Sequence, residues 1–176
     1  MCPPEEAQAG MSLVAYEGIE ASPLDSKGRF VMPADFRSAL RLSCGDEPRF
    51  FLRFSDKNPF LMAYGNAEQQ EFRRESEEMA RIARERGELF DRGRHDKGRG
   101  TATPVTMDAG GRFAIDRIMR QLLDITDSVV FYGADRYIEI WKPETYLEKG
   151  DPDSYARIKT EMFLEELAQK RKARGQ

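Results

Sequence analysis

Two five-residue stretches combine side chains suited to gripping an anion: Asp25-Ser26-Lys27-Gly28-Arg29 and Asp108-Ala109-Gly110-Gly111-Arg112. In each, the second-last residue is a glycine that supplies the positive φ of a tight turn, and the aspartate can accept hydrogen bonds from turn amides. The arginine then leaves the turn at a fixed height. There its planar guanidinium can meet a phosphate, or the O6 and N7 edge of guanine, with two bonds. Lys27 adds a mobile ammonium suited to phosphate. A single Asp-x-x-Gly-Arg also occurs as an ordinary hairpin end, so one copy alone does not separate a reader of nucleic acid from a turn.

The motif is part of a longer repeat. Residues 24–40 (LDSKGRFVMPADFRSAL) align without a gap to residues 107–123 (MDAGGRFAIDRIMRQLL) at an offset of 83 residues. Asp25, Gly28, Arg29, Phe30, Arg37 and Leu40 meet Asp108, Gly111, Arg112, Phe113, Arg120 and Leu123. The residues after each copy are also alike: apolar strands at Phe50 to Phe54 and Phe60 to Tyr64 in one, and at Val129 to Tyr132 and Tyr137 to Trp141 in the other. Tyr137, Glu139 and Trp141 alternate with Ile138 and Ile140 as a strand requires. The expected unit is hairpin, short helix, hairpin, helix. Pro33 suits the start of the first short helix, and Phe36 and Leu40 share one of its faces. Arg37 and Arg120 fall at the same point of the two short helices, where each either supports the turn site or solvates the surface.

Between the copies, residues 67–90 are expected to form an amphipathic helix. Its stripe of Phe72, Met79, Ile82 and Leu89 packs either on the chain's own sheets or on another subunit. Residues 91–103, rich in Gly, Arg and Asp, are expected to be a linker. From Ser154 a last helix is expected on Tyr155, Ile158, Met162 and Leu167, and the cations Lys170, Arg171, Lys172 and Arg174 suit its C-terminal dipole. The expected organisation is a flexible tail over 1–12, a first module over 13–90, the linker, a second module over 104–150, and a C-terminal helix with a basic tail over 151–176.

Composition removes several function classes. A formal net charge of −3 argues against DNA binding by bulk electrostatics, so any DNA site must be a local concentration of Lys and Arg. Cys2, Cys44 and the one histidine, His95, make no zinc site. Asp96-Lys97-Gly98-Arg99 mimics the turn motif one residue short and reads as linker, and Gly98-Arg99-Gly100 lacks the Lys-Ser or Lys-Thr of a phosphate loop. No carboxylate pair stands out as general acid and base. An enzyme is therefore not expected, nor a metal, nor a cofactor. No apolar run spans a bilayer and the start lacks the features of a signal peptide, which places the chain in the cytoplasm.

The stretches at 24–37 (LDSKGRFVMPADFR), 107–115 (MDAGGRFAI) and 130–146 (VFYGADRYIEIWKPETY) resemble the MraZ family, over residues 13 to about 150. The resemblance implies an α+β fold of two tandem AbrB-like swapped-hairpin β-barrel modules with flanking helices. It implies a transcriptional regulator, usually a repressor of the division and cell-wall gene cluster, that forms a homo-oligomeric ring on the nucleoid. Such a ring binds short direct repeats in double-stranded promoter DNA. Carried over by position, the DNA-binding residues are Asp25, Lys27, Gly28 and Arg29 in copy one, and Asp108, Gly111 and Arg112 in copy two. Three departures stand out. Gly110 replaces the cation of Lys27, Asp116 replaces the helix-opening proline, and the linker is long and basic. The rival readings are an AbrB-like regulator of another operon, for instance an antitoxin, and a structural oligomer whose turns are only turns.

Overall fold

A computed structural model describes residues 12–45, 47, 49–91 and 102–173. These form a mixed α+β fold in which the repeat recurs element by element. Copy one runs β1 (Ile19–Pro23), β2 (Phe30–Val31), α1 (Ala34–Cys44), β3 (Arg49–Phe54), β4 (Leu61–Tyr64) and α2 (Asn66–Glu85). Copy two runs β5 (Thr103–Thr106), β6 (Arg112–Phe113), α3 (Arg117–Leu122), β7 (Ser128–Gly133), β8 (Ile138–Trp141) and α4 (Pro143–Lys149), and α5 (Ser154–Ala173) comes last. Most of the tail and linker expected at 1–12 and 91–103 lies outside the described residues, as do Cys2, His95 and Arg174. Thr103, at the linker's expected end, already belongs to β5.

The later strands of each copy pair as hairpins, β3 with β4 and β7 with β8. The first strands do not. β1 pairs with β7, β5 with β3, and β2 with β6, all antiparallel, so each copy lends its opening strands to the other. The reason is length. β2 is two residues long and builds no backbone ladder with β1; among the described residues the expected hairpin keeps the turn bonds Asp25 N–H to Arg29 O (2.8 Å) and Gly28 N–H to Asp25 O (3.0 Å), and Val31 N–H donates to Ser22 Oγ (2.9 Å).

The resulting six-stranded sheet has the order β1-β7-β8-β4-β3-β5, which reads the same when the copies are exchanged. Equivalent residues meet each other at its middle, where Met62 pairs with Glu139, and again in the small sheet, where Phe30 pairs with Phe113. A pseudo-twofold axis therefore runs through both pairs.

Alternation along the strands serves two cores. Leu61, Ala63, Phe131, Ile138 and Ile140 face one side, where Phe30, Phe113, Phe36, Leu40 and Met119 cover them. Phe60, Met62, Tyr64, Val130 and Trp141 face the other, against Phe72, Tyr146 and Ala156. The α2 stripe divides accordingly. Phe72 is buried edge-on against Tyr64 at 5.2 Å and Met79 is exposed; the helix ends at Glu85 rather than at residue 90, just before the left-handed Gly87, so Leu89 lies beyond it and is exposed. On α5 the expected apolar face is the outer one. Tyr155, Ile158 and Met162 are exposed and the smaller Ala156 and Thr160 are buried, in a helix that sits beside β1 and β7 and ties Lys159 to Glu20 (2.6 Å).

One polar knot locks copy one. Glu68, 2% exposed, accepts hydrogen bonds from Val14 N–H (3.2 Å), Tyr16 OH (3.1 Å), Gly65 N–H (3.1 Å) and the Ser43 hydroxyl. A buried carboxylate is tolerated only when donors surround it in this way. Burial, and then the Glu68 charge, push the Tyr16 phenol well above its ordinary pKa. Ser43 Oγ also accepts from Ala67 N–H (3.3 Å), capping the start of α2 from a neighbouring helix in place of the side chain that Gly65 lacks. Gly65 has an ordinary φ of −91°, so it is needed for space rather than for backbone freedom: a Cβ there would overlap Ser43 Oγ and Cβ. Gly65→Ala should therefore destabilise the fold by about 1–3 kcal/mol, the usual cost of overpacking, and thermal denaturation should register a drop of several degrees. An unchanged melting temperature would mean that Ser43 moves aside freely.

Candidate nucleic-acid interface

The two motif turns have one local design. Asp25 Oδ1 accepts from the amides of Lys27 (2.9 Å) and Arg29 (2.9 Å), and Asp108 Oδ1 accepts from those of Gly110 (2.9 Å) and Arg112 (2.9 Å). Gly28 and Gly111 carry the left-handed φ values, +75° and +80°. The aspartate is thus the internal acceptor that closes each turn, and the glycine lets the chain reverse. β2 and β6 start at these turns and pair with each other, which sets the turns side by side.

The arginines differ in how they are held. Arg29 is gripped by Asp25 Oδ2 through Nε (3.0 Å) and Nη2 (2.9 Å), and its Nη1 reaches Asp108 Oδ2 of the other copy at 3.4 Å. Arg112 lies 3.9 Å from Asp108 and its side chain is 47% exposed, against 32% for Arg29. Lys27 is exposed, and its ammonium has no ion pair among the described residues. Asp25 and Asp108 bring two negative charges to the patch, which Arg29, Arg112, Lys27 and Arg37 outnumber. The cluster is cationic on an acidic chain.

Of the two expected supports, the structure brings Arg37 to the site and not Arg120. Arg37 Nη1 donates to the Gly110 carbonyl of the opposite copy at 2.7 Å. Arg120 lines a separate cleft with Arg117, Gln121 and Asp124, and its buried Nε has no hydrogen-bond partner among the described residues. The helix starts behave as their sequences suggest, with one shift. Asp116 caps α3 by accepting from Ile118 N–H (2.8 Å) and Met119 N–H (3.4 Å), while Pro33 is itself the cap residue of α1 and Ala34 the first helical one. The Glu68 knot was not expected. Its one signal is local, a glutamate three residues into a helix start, the inner position of a capping box. Cys44 is buried, its thiol donating to the Arg49 carbonyl, and burial pushes its pKa up, away from reactivity. Among the described residues no His, Cys, Asp and Glu cluster could hold a metal, and no helix is long and apolar enough to cross a membrane.

Fold and site together define a class: a duplicated protein whose copies exchange strands in order to present paired cationic turns. The family model described as "MraZ protein, putative antitoxin-like" matches residues 100–164, which contain the second copy. A protein of Ruegeria sp. (strain TM1040) named "Transcriptional regulator MraZ" is 30% identical over 141 residues, covering 76% of this chain and 80% of the relative. A protein of the same name from Gluconacetobacter diazotrophicus is 31% identical over 132 residues, covering 73% and 78%. The chain belongs to the MraZ family of transcriptional regulators. Its relatives carry a regulator's name, not an enzyme's.

The aspartates fix how the site responds to pH. The Arg29 backbone amide chiefly, with that residue's side chain and the Lys27 amide, holds Asp25 below the ordinary 3.8; the Arg112 amide, with Gly110 N–H and the two arginine charges, does the same for Asp108. A carboxyl lowered on folding stabilises fully above its unfolded pKa, and the contribution is lost as pH falls through the folded value. The amide resonances of Arg29 and Arg112 should therefore be flat from about pH 7 to 5 and titrate with midpoints below 3.8. A midpoint at or above 3.8 would mean that the carboxylates do not close the turns.

Proposed function

We propose that this chain is a DNA-binding repressor of the division and cell-wall gene cluster, acting in the cytoplasm on the nucleoid. Its two turns read short direct promoter repeats, and a homo-oligomeric ring of subunits engages several repeats at once. The observation that carries this reading is the adjacency of two matching Asp-x-x-Gly-Arg turns, with Arg112 and Lys27 exposed beside Arg29. Arg29 and Arg112 are assigned to base edges or adjoining phosphates, and Lys27 to phosphate; Asp25, Gly28, Asp108 and Gly111 shape the turns. The modules over 13–90 and 104–150 are read as a pair of swapped-hairpin barrels, a reading supported by the exchange of β1, β2, β5 and β6 between copies.

Oligomerisation follows from magnitude. One cationic patch on an acidic chain binds weakly, whereas linked copies on successive repeats gain roughly two to four orders of magnitude in avidity. Exposed Ile118 and Leu122 on α3, and Met79 on α2, are apolar surface available to subunit contacts. The family's printed name supplies the regulator class; promoter, repeats and ring are this reading's own extension.

Arg29→Ala and Arg112→Ala should each weaken binding to the chain's own promoter by about 1–3 kcal/mol for every base edge no longer held, multiplied across subunits. Lys27→Ala should weaken operator and random DNA alike, and flatten the salt dependence by about one counterion per engaged copy. Fluorescence anisotropy at several salt concentrations measures both, with light scattering to verify assembly. Wild-type affinity in the correctly assembled Arg29→Ala, Arg112→Ala double variant would remove the turns from the site.

A further inference from the structure

The 83-residue repeat allows the two turns to be compared bond by bond, and they are held differently. Copy two's turn is clamped by copy one: Met32 N–H donates to the Gly111 carbonyl at 2.9 Å, and Arg37 Nη1 to the Gly110 carbonyl at 2.7 Å. The Arg37 stem also roofs it. A Cβ on Gly111 would meet Arg37 Nη1 at 2.6 Å, Arg37 Cδ at 3.0 Å and the Met32 carbonyl at 3.2 Å.

By the offset, the reciprocal clamp would come from Ile115 and Arg120. Neither bonds the copy-one turn among the described residues. Among the described residues, a Cβ on Gly28 would find no atom within 4 Å, and the buried Nε of Arg120 in the α3 cleft has no hydrogen-bond partner. Among the described residues, the carbonyls of copy two's turn are bonded by Met32 and Arg37 of copy one, whereas residues 25–29 are held by their own aspartate and the Arg29–Asp108 contact, with flanking bonds from Leu24 N–H to Asp127 O (2.7 Å) and Val31 N–H to Ser22 Oγ (2.9 Å).

We infer that Arg37 is a positioning residue for DNA reading: it fixes the copy-two turn, and with it Arg112, as a rigid reference, while the copy-one turn adjusts. The inference rests on the proposed DNA-binding role and adds a division of labour to it. A two-bond contact between arginine and guanine tolerates little displacement, and an unbraced loop must be ordered at the moment of binding, which weakens it. The Arg37 bond is charge-assisted, hence among the stronger single contacts that could supply the bracing. Lysine at the same place keeps a cationic donor and loses the planar fork.

Two measurements on the full-length chain test this. The first needs no DNA. Amide hydrogen exchange of Gly111 and Arg112 should be slower than that of Gly28 and Arg29, Arg37→Ala should speed the first pair by about tenfold or more, and Arg120→Ala should change neither. The second is a mutant cycle on promoter affinity. Arg37→Ala should cost about tenfold in wild type and in Arg29→Ala, should cost nothing further in Arg112→Ala, and should be partly rescued by Arg37→Lys. Unchanged exchange in Arg37→Ala would overturn the clamp, and so would an affinity loss that adds fully to that of Arg112→Ala, because Arg37 would then touch DNA itself. Absence of promoter binding by the wild type would sink the proposed function, and the exchange experiment would still decide whether Arg37 holds the turn.

Discussion

The packing of Phe30 against Phe113 is the contact on which the rest of the architecture hangs. Each ring sits in a strand of two residues, too short to persist unaided. The strands survive because the rings meet at 6.3 Å across the pseudo-twofold axis, and Phe113 stands edge-on to Phe50 at 5.2 Å and to Phe131 at 6.2 Å in the shared core. Arg29 immediately precedes one ring and Arg112 the other. The depth of two buried aromatics therefore sets the separation of the two guanidiniums, and core packing becomes site geometry.

The same turns carry a built-in electrostatic conflict. Asp25 and Asp108 must be ionised to accept the amides that close the turns, yet their charges also face the arginines that would meet an anion. In the free chain Arg29 satisfies both carboxylates, whereas Arg112 is only loosely attached to one. An incoming phosphate or base edge meets Arg112 nearly unencumbered and must compete for Arg29. Competition of this kind favours a partner that offers fixed, matched acceptors over a diffuse negative surface, and on the proposed reading it would let an acidic chain bind DNA without holding every polyanion.

The sequence made local features legible. Asp-x-x-Gly-Arg announces its own turn because the aspartate, the amides and the glycine are all within five residues, and Asp116 and Pro33 announce helix starts for the same reason. The apolar run 129–132 and the alternation in 137–141 place those strands correctly. Strand partners were not legible from the pattern, since β1 and β2 show the same residues to the core whichever copy they join; the resemblance to a family implied the exchange, and short β2 explains it. The inner face of α5 is not read from its large apolar residues: a helix lying close against a sheet buries its small residues, Ala156 and Thr160, and leaves Tyr155, Ile158 and Met162 outside. Glu68 draws its donors from three separate stretches of chain, which no local pattern brings together.

Fusion of the two copies into one chain has a physical consequence that a dimer of identical modules would lack. In a symmetric dimer, every contact made by one turn is repeated by the other, and a change that braces one braces both. Here the copies have diverged at matched positions: Lys27 against Gly110, Pro33 against Asp116, and an eleven-residue α1 against a six-residue α3. α3 ends at Leu122, and Asp124, two residues on, has a left-handed φ of +52° and engages Lys142. Arg120, the fourth residue of its helix, lies in a cleft on its own side, whereas Arg37, the fourth residue of α1, crosses the axis to the opposite turn. The pseudo-twofold core thus keeps the turns adjacent, and divergence outside that core allows one to be held more firmly than the other.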